Sequence, residues 1–263
     1  MPRWNDLGGD GSHPASIGIM GRLDTFMKDR ESPEIRVLHT LHEFAAVKRI
    51  EDAVWQEGEG TPAALLKVFA DHGGLILGAF VKEEMVGMAV AMPARMGDHW
   101  YLHSHMMAIM PGYRSLGLGS HLKQEQVRWA KTYGYEFVGW TFDPLQVRNA
   151  IFNLRVLKAH VLDFAPNYYG TMGDTLNGNF PSHRFFAVSE DLEGISQKPQ
   201  GLLPIPHDIT ALRREHPTQA QKWADRYARF FASPTRRRIV GLVRSPLGQW
   251  CYAWTEARPL GQS

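Results

Sequence analysis

The stretch MMAIMPGYRSLGLGSHLKQEQVRWAKTYG, Met106 to Gly134, constrains the fold more than any other part of the chain. It passes from an apolar run with strand character, through a bend holding Arg114, Gly117 and Gly119, into the amphipathic pattern of a helix from Leu118 to Tyr133. A strand that turns directly into a helix leaves several backbone N–H groups unpaired and aims the positive end of the helix dipole at the turn. Such a place binds phosphate. Missing side chains at Gly117 and Gly119 let the backbone wrap a pyrophosphate closely, and Arg114 can add charge. The spacing excludes two common nucleotide loops. A Walker loop needs G-x-x-x-x-G-K-[ST], and a dinucleotide fingerprint needs a third glycine where Leu122 stands.

At 263 residues the chain can form one large domain, or an ordinary domain with an appendage. A hydrophobic share of 44% and a charged share of 21% argue against disorder, and no apolar run is long enough to cross a bilayer, so no membrane partner is expected. A net charge of +2 disfavours nucleic-acid binding as the main activity while leaving room for a local anion site. The run Arg236 to Arg238 reads as exposed edge charge. The single cysteine, Cys251, rules out an internal disulfide and fits a reducing compartment. The N-terminus carries Gly, Asp, Ser and Pro where a signal peptide would have an apolar core, so a cytoplasmic location is expected, with a homodimer as a further expectation.

Three segments are expected: a weakly structured leader over 1–32, a main domain over 33–195, and a C-terminal helix and strand extension over 196–263 packed upon it. In the main domain EIRVLHTL reads as a strand, Leu41 to Gln56 as a helix, and TPAALLKVFADHGG as a second helix with Thr61 as N-cap. A hairpin of Leu75 to Val81 with Met85 to Met92 follows, then the strand WYLHSHMMAI, the glycine bend and its helix, the strand EFVGWTF, a short helix VRNAIFNLRVLKA, and extended VLDFAPNYYG and SHRFFAVS. Pro199 to Pro206 resembles a linker, ITALRREHPTQAQKWADRYARFFAS a broken helix, and RRRIVGLVRS with QWCYAWTEA a closing pair of strands. The fold class is mixed α/β (α+β), with a mostly antiparallel central sheet flanked by helices and an α+β appendage.

RSLGLG matches the [QR]-x-x-G-x-[GA] signature of the GCN5-related N-acetyltransferase (GNAT) superfamily, and AIMPGYR resembles that family's approach to it, so the stretch from about Glu34 to Glu190 resembles a GNAT domain. WTFDPLQVRNAIFN, APNYYG and PSHRF further resemble a subgroup of predicted acetyltransferases. The resemblance implies acyl transfer from acetyl-CoA, or another acyl-CoA such as succinyl-CoA, to a small-molecule amine, an amino acid among the candidates. It also implies a pyrophosphate loop of Arg114, Ser115, Leu116, Gly117, Leu118, Gly119 and Ser120. The pantetheine arm would pass between two splayed strands, around Met107 to Ile109 on one and Trp140 to Phe142 on the other. Asn149 and Asn153 would flank the coenzyme. The family's helix tyrosine is replaced by Leu154, and its glycine by Lys158. A silent acyl-CoA sensor that lost turnover is the alternative reading.

Amide formation from a thioester needs a neutral amine, oxyanion stabilisation and a proton for the leaving thiolate. His103 and His105 share one strand face by alternation and are candidate bases, with structural histidines or an H-x-H metal site as alternatives; the metal site lacks carboxylate or cysteine partners nearby in sequence. Tyr168 and Tyr169 are the candidate acids, with aromatic packing as the competing role. Asp143 lies at the mouth of the proposed cleft, where it can orient an ammonium or end its strand, and Trp140 is a further candidate for substrate contact. Arg148 and Arg184 can pair with a substrate carboxylate.

Overall fold

Apolar residues on both faces of LILGAFV and EMVGMAVAM mark strands covered on two sides, and the chain folds accordingly. In the computed structural model, residues 33–55, 60–171, 178–190 and 198–256 are described; the expected leader, 1–32, lies outside them. The order is β1 (Glu34–Val37), α1 (Leu41–Trp55), α2 (Ala63–Asp71), β2 (Leu75–Val81), β3 (Glu84–Met96) and β4 (His99–Ile109). A 3₁₀ turn (Pro111–Leu116) leads into α3 (Leu118–Thr132) and β5 (Val138–Phe142). Helix α4 (Val147–Ala150) winds on as a π-helical turn (Ile151–Val156) before β6 (His160–Ala165) and β7 (Arg184–Val188). The last part holds β8 (Gly201–Pro204), α5 (Ile209–Glu215), α6 (Pro217–Phe231), β9 (Arg237–Arg244) and β10 (Trp250–Glu256).

The seven-stranded sheet has the order β1-β2-β3-β4-β5-β7-β6. Every neighbouring pair is antiparallel except β4 with β5. Helices α1 and α2 cover one face, where Phe44, Val47, Ile50 and Leu66 pack on Ile76, Met88 and Val90. Helix α3 covers the other with Leu118, Leu122 and Ala130 against Leu75, Ala89 and Leu102. Full burial of each such Leu or Phe contributes about 1.5–3 kcal/mol. This second core continues through Phe185 into Tyr227 and Tyr252 of the C-terminal region, so the smaller sheet, β8-β10-β9, shares it. No helix among the described residues is long and apolar enough to cross a membrane.

Two local expectations are corrected. The segment expected as a linker contains β8, an edge strand paired with β10 that tolerates Pro204 because only one side of it carries a ladder. Thr61 does not cap α2: its hydroxyl and N–H donate to the buried Glu51 carboxylate, both at 2.8 Å, and Pro62 occupies the N-cap. The expected break in the C-terminal helix falls at His216, with Pro217 opening α6.

Two contacts tie the end of β5 to the C-terminal region. Asp143 Oδ2 lies 3.0 Å from Arg213 Nη2, with the two side chains only 8% and 6% exposed, while the Tyr252 hydroxyl donates to the Pro144 carbonyl at 2.8 Å. Breaking a buried ion pair from one side strands the remaining charge, so Arg213→Met is expected to lower stability by about 3–5 kcal/mol. Urea unfolding monitored by fluorescence measures this; a loss below about 1 kcal/mol would place the pair in the solvent-screened class.

Candidate functional site

The parallel pairing of β4 with β5 is confined to Leu102 with Val138 and His103 with Gly139. Beyond it the strands diverge: β4 continues to Ile109 held by β3 alone, and Trp140 to Phe142 are held by β7 alone. A β-bulge sharpens the divergence, since Met106 pairs with Val90 and Ser104 with Ala91, leaving His105 as the extra residue. The inner edges of the opening therefore carry main-chain polar groups with no strand partner, a place where an extended polar chain can be received.

The glycine bend closes one end of this opening. Gly117 adopts the left-handed conformation (φ 71°) and stands as N-cap of α3, whose first turn receives no side-chain cap. The Ser120 hydroxyl donates to Gly117 O at 2.7 Å, and the Ser120 and His121 N–H groups also turn to that carbonyl. The earlier N–H groups of the helix are left to outside acceptors by the geometry of a helix start. A Cβ on Gly119 would lie 3.2 Å from the Phe152 ring and 3.8 Å from Met107 Cε, so a side chain here would crowd the seam between loop, β4 and the π turn. Arg114 is exposed, and its Nε donates to the Ile109 carbonyl at 3.2 Å, which fixes its guanidinium beside the loop. Leu116 packs against the core, Leu118 is fully buried, and Met107 and Ile109 line the same cluster. Ser115 lies within the 3₁₀ turn.

Just past the parting, the first residues of the two strands are Ser104 and Trp140. Lys123 of α3 reaches both: Nζ donates to Ser104 Oγ at 2.7 Å and sits 4.3 Å from the centre of the Trp140 ring. Ser104 Oγ donates onward to Gln126 Oε1 at 2.9 Å. Burial pushes the Lys123 ammonium down to about 7. On the other side of Trp140, its Nε1 donates to Asn153 Oδ1 at 2.7 Å, and Asn153 Nδ2 donates to the Asn149 carbonyl at 2.9 Å. Asn153 is thus buried and engaged, while Asn149 is exposed. Leu154, in the place of the resembled tyrosine, packs into the core; Lys158, in the place of the glycine, takes the left-handed conformation that glycine favours (φ 57°).

His103 is buried, stacks on Phe186 at 6.3 Å, meets Tyr101 edge-on, and keeps Nδ1 buried without a hydrogen-bond partner. Burial first, then the positive charges of His105 and Lys123, push it down to about 4, so the ring is neutral at neutral pH. The His105 ring lies 6.4 Å away; partial desolvation lowers it and the Glu51 carboxylate opposes that shift. Near the same aromatic group, Tyr169 Oη lies 3.1 Å from Thr141 Oγ1, Arg184 stands 5.2 Å from the Tyr169 ring and donates from Nη1 to the His183 carbonyl at 2.9 Å. Tyr168 is 51% exposed and meets Tyr169 edge-on. Asp143 is not at a substrate's disposal: Leu145 N–H and Arg213 occupy its carboxylate. Arg148 is exposed on α4. The structure thus brings the loop, His103, His105, Trp140 and Asn153 to the parting and commits Asp143 elsewhere. Lys123, Ser104 and Gln126 escaped the sequence reading, although Lys123 and Gln126 lie beside the apolar stripe of Leu118, Leu122 and Ala130, which is the signal that could have found them. A separate cavity of about 340 Å³, lined by Leu38, Gly74, Trp129, Tyr133 and Tyr135 among others, shares none of these residues.

Residues 40–151 match the model of the acetyltransferase (GNAT) family. No curated protein sequence matches the chain. Among solved structures it is similar to the ribosomal-protein-S18-alanine N-acetyltransferase of Escherichia coli, at 15% identity and a TM-score of 0.47 over 63% of this chain and 100% of that one. It is also similar to an IAA acetyltransferase of Bacillus cereus, at 14% identity and a TM-score of 0.46 over 60% of this chain and 98% of that one. A third is Ard1 of Thermoplasma volcanium, at 16% identity and a TM-score of 0.46 over 60% of this chain and 97% of that one.

The buried imidazole leaves a pH signature. Unfolded, His103 binds its proton near pH 6.5, and folded only near 4, so the stability from keeping it neutral is whole above 6.5 and is lost as pH falls through 4. NMR titration of the His103 ring should give a midpoint about 4, and His103→Phe should flatten the acid limb of the stability curve. A midpoint at the ordinary value would show that water reaches the ring.

Proposed function

We propose that the chain, whose residues 40–151 match the GNAT acetyltransferase family model, transfers an acetyl group from acetyl-CoA to the nitrogen of a small amine, an amino acid being the favoured acceptor class. The observation that carries this reading is the placement of the glycine-opened start of α3 at the end of the β4/β5 parting. The residues fit the coenzyme: uncapped main-chain N–H groups and Arg114 would hold its diphosphate, the unpaired edges of β4 and β5 its amide-bearing arm, and Asn149 its flank. When bound, acetyl-CoA supplies an acyl thioester, an activated carbonyl for an amine.

His103 is neutral where the reaction would run, and its unpartnered Nδ1 can take the proton that an attacking amine must lose. His105, exposed at the bulge, extends that polar edge toward solvent, and the buried Glu51 carboxylate favours its charged form. Main-chain N–H groups of Met107 to Ile109 would polarise the carbonyl, because donors already fixed by the strand need no reorganisation. The aromatic neighbourhood of Tyr101, Phe186 and Tyr169 suits the hydrocarbon of a small acceptor, and Arg184 beside Tyr169 could receive its carboxylate.

Free-thiol release, measured with acetyl-CoA or succinyl-CoA and a panel of amino acids, simple amines and N-terminal peptides, tests the reading. Acceptor-dependent release with an amino acid supports it. Release with peptides alone would overturn the acceptor class, and tight CoA binding without release from any pair would favour the silent sensor, the reading that Leu154 invites. Gly119→Glu places a bulky anion where the phosphates would lie, and calorimetry should show acetyl-CoA affinity falling at least about 100-fold, near 2.8 kcal/mol, with the fold intact by circular dichroism. Unchanged affinity would remove the loop from the site.

A further inference from the structure

A fully buried ammonium without a carboxylate is rare, because its desolvation is unrepaid. Lys123 is 4% exposed, and none of the ion pairs among the described residues includes it. What surrounds it is specific: Ser104 Oγ at 2.7 Å, the face of Trp140 at 4.3 Å, and beyond Ser104 the amide of Gln126, whose Nε2 is itself buried without a partner. Ser104 and Trp140 are the residues that follow the last paired positions of β4 and β5, so the amine stands at the vertex of the opening. Lys123 also lies one helical turn beyond Gly119, on the same side of the helix whose start forms the loop. The position that would carry a hydroxyl acid by resemblance holds Leu154, packed in the core.

We propose that Lys123 is a catalytic residue, the acid that protonates the departing sulfur in place of the missing helix tyrosine; this rests on the acetyl-CoA reading above. The protons balance. The acceptor nitrogen forms its bond to the acyl carbon and gives a proton to His103, the carbon–sulfur bond breaks, and Lys123 Nζ gives a proton to the sulfur. The neutral amine then regains a proton from water while His103 loses its own, and no other reactant is needed. Ser104 and Gln126 hold the amine in place through their hydrogen-bond chain. Burial brings the ammonium near the range of a thiol, which suits transfer between them. Its neighbours that titrate are few: His103 on β4 is lowered by its charge, whereas β5 presents Trp140 and the π turn Asn153, neither of which ionises in this range.

Lys123→Met keeps the shape and removes the charge, and since it also removes a desolvated amine that has no carboxylate partner, the melting temperature should rise, separating lost chemistry from lost folding. The first readout involves no turnover: ultraviolet absorbance of the thiolate of bound CoA, followed against pH. In the native protein the bound thiol should ionise at lower pH than free CoA, and Lys123→Met should return it to the free value or above. In turnover, kcat should fall about 100-fold or more with KM for acetyl-CoA within about threefold, and the decline of rate as pH rises through about 7 should vanish. Ser104→Ala, which loosens the amine without removing it, should give an intermediate thiol shift. A variant whose bound thiol titrates as in the native protein and whose kcat is unchanged would overturn the role of Lys123 while leaving the acetyl-CoA reading standing. Failure of the native protein to bind CoA at all by calorimetry would overturn both.

Discussion

Two residue pairs decide this structure: β4 and β5 pair at Leu102 with Val138 and at His103 with Gly139, and then separate. A parallel sheet normally continues its ladder, because an open edge inside a protein leaves N–H and C=O groups unsatisfied. Here the separation is held from outside. Strand β3 keeps β4 through a long antiparallel register interrupted by the bulge at His105, and β7 keeps β5. The end of β5 is further fixed by the Asp143–Arg213 ion pair and the Tyr252–Pro144 hydrogen bond. The C-terminal region thus acts on the site mechanically, since the strand it anchors forms one wall of the opening.

The same opening organises the chemistry by face. On the α3 side lie Lys123, Ser104 and Gln126. His103 belongs to a different set of neighbours, with Tyr101 and Phe186. Trp140 bridges the vertex to the π turn through Asn153. That π turn fits its place: an added residue lets Leu157 N–H reach the Phe152 carbonyl, and Phe152 comes to rest against Gly119. Loop, vertex and π turn are therefore joined by direct contacts.

Much of this was legible in the sequence because it is local. The hairpin of β2 and β3, the strand into the glycine bend and the amphipathic α3 announce themselves through period and turn chemistry, and Leu154 and Lys158 stood out as departures from a known pattern. What stayed hidden depends on contacts distant along the chain. Residues 201–204 have too few positions to show a period, and prolines on either side read as punctuation, so β8 emerges only through its partner β10. Asp143 looked available because Arg213 lies far along the chain, and Thr61 looked like a cap because Glu51 belongs to another helix. Lys123 carried no signal of its own in the amphipathic pattern of α3. Its neighbour Leu122 belongs to the apolar stripe, but one position of rotation decides between solvent and core, and only packing settles it.

The two ionisable groups at the vertex are set apart by environment rather than by kind. Burial lowers both, yet His103 falls to about 4 and Lys123 to about 7, so near neutrality the first is an empty base and the second retains a substantial share of its protons. They are also coupled, since the charge on Lys123 is one of the causes that lowers His103. Coulomb repulsion is reciprocal: in the proposed reaction, a proton arriving at His103 from an acceptor would make the ammonium of Lys123 a stronger acid at the moment a sulfur would need its proton. An apolar residue in place of either would pack more comfortably. The cost in stability of keeping two desolvated, mutually repelling groups on either side of one strand parting is the physical reason to look for their chemistry there.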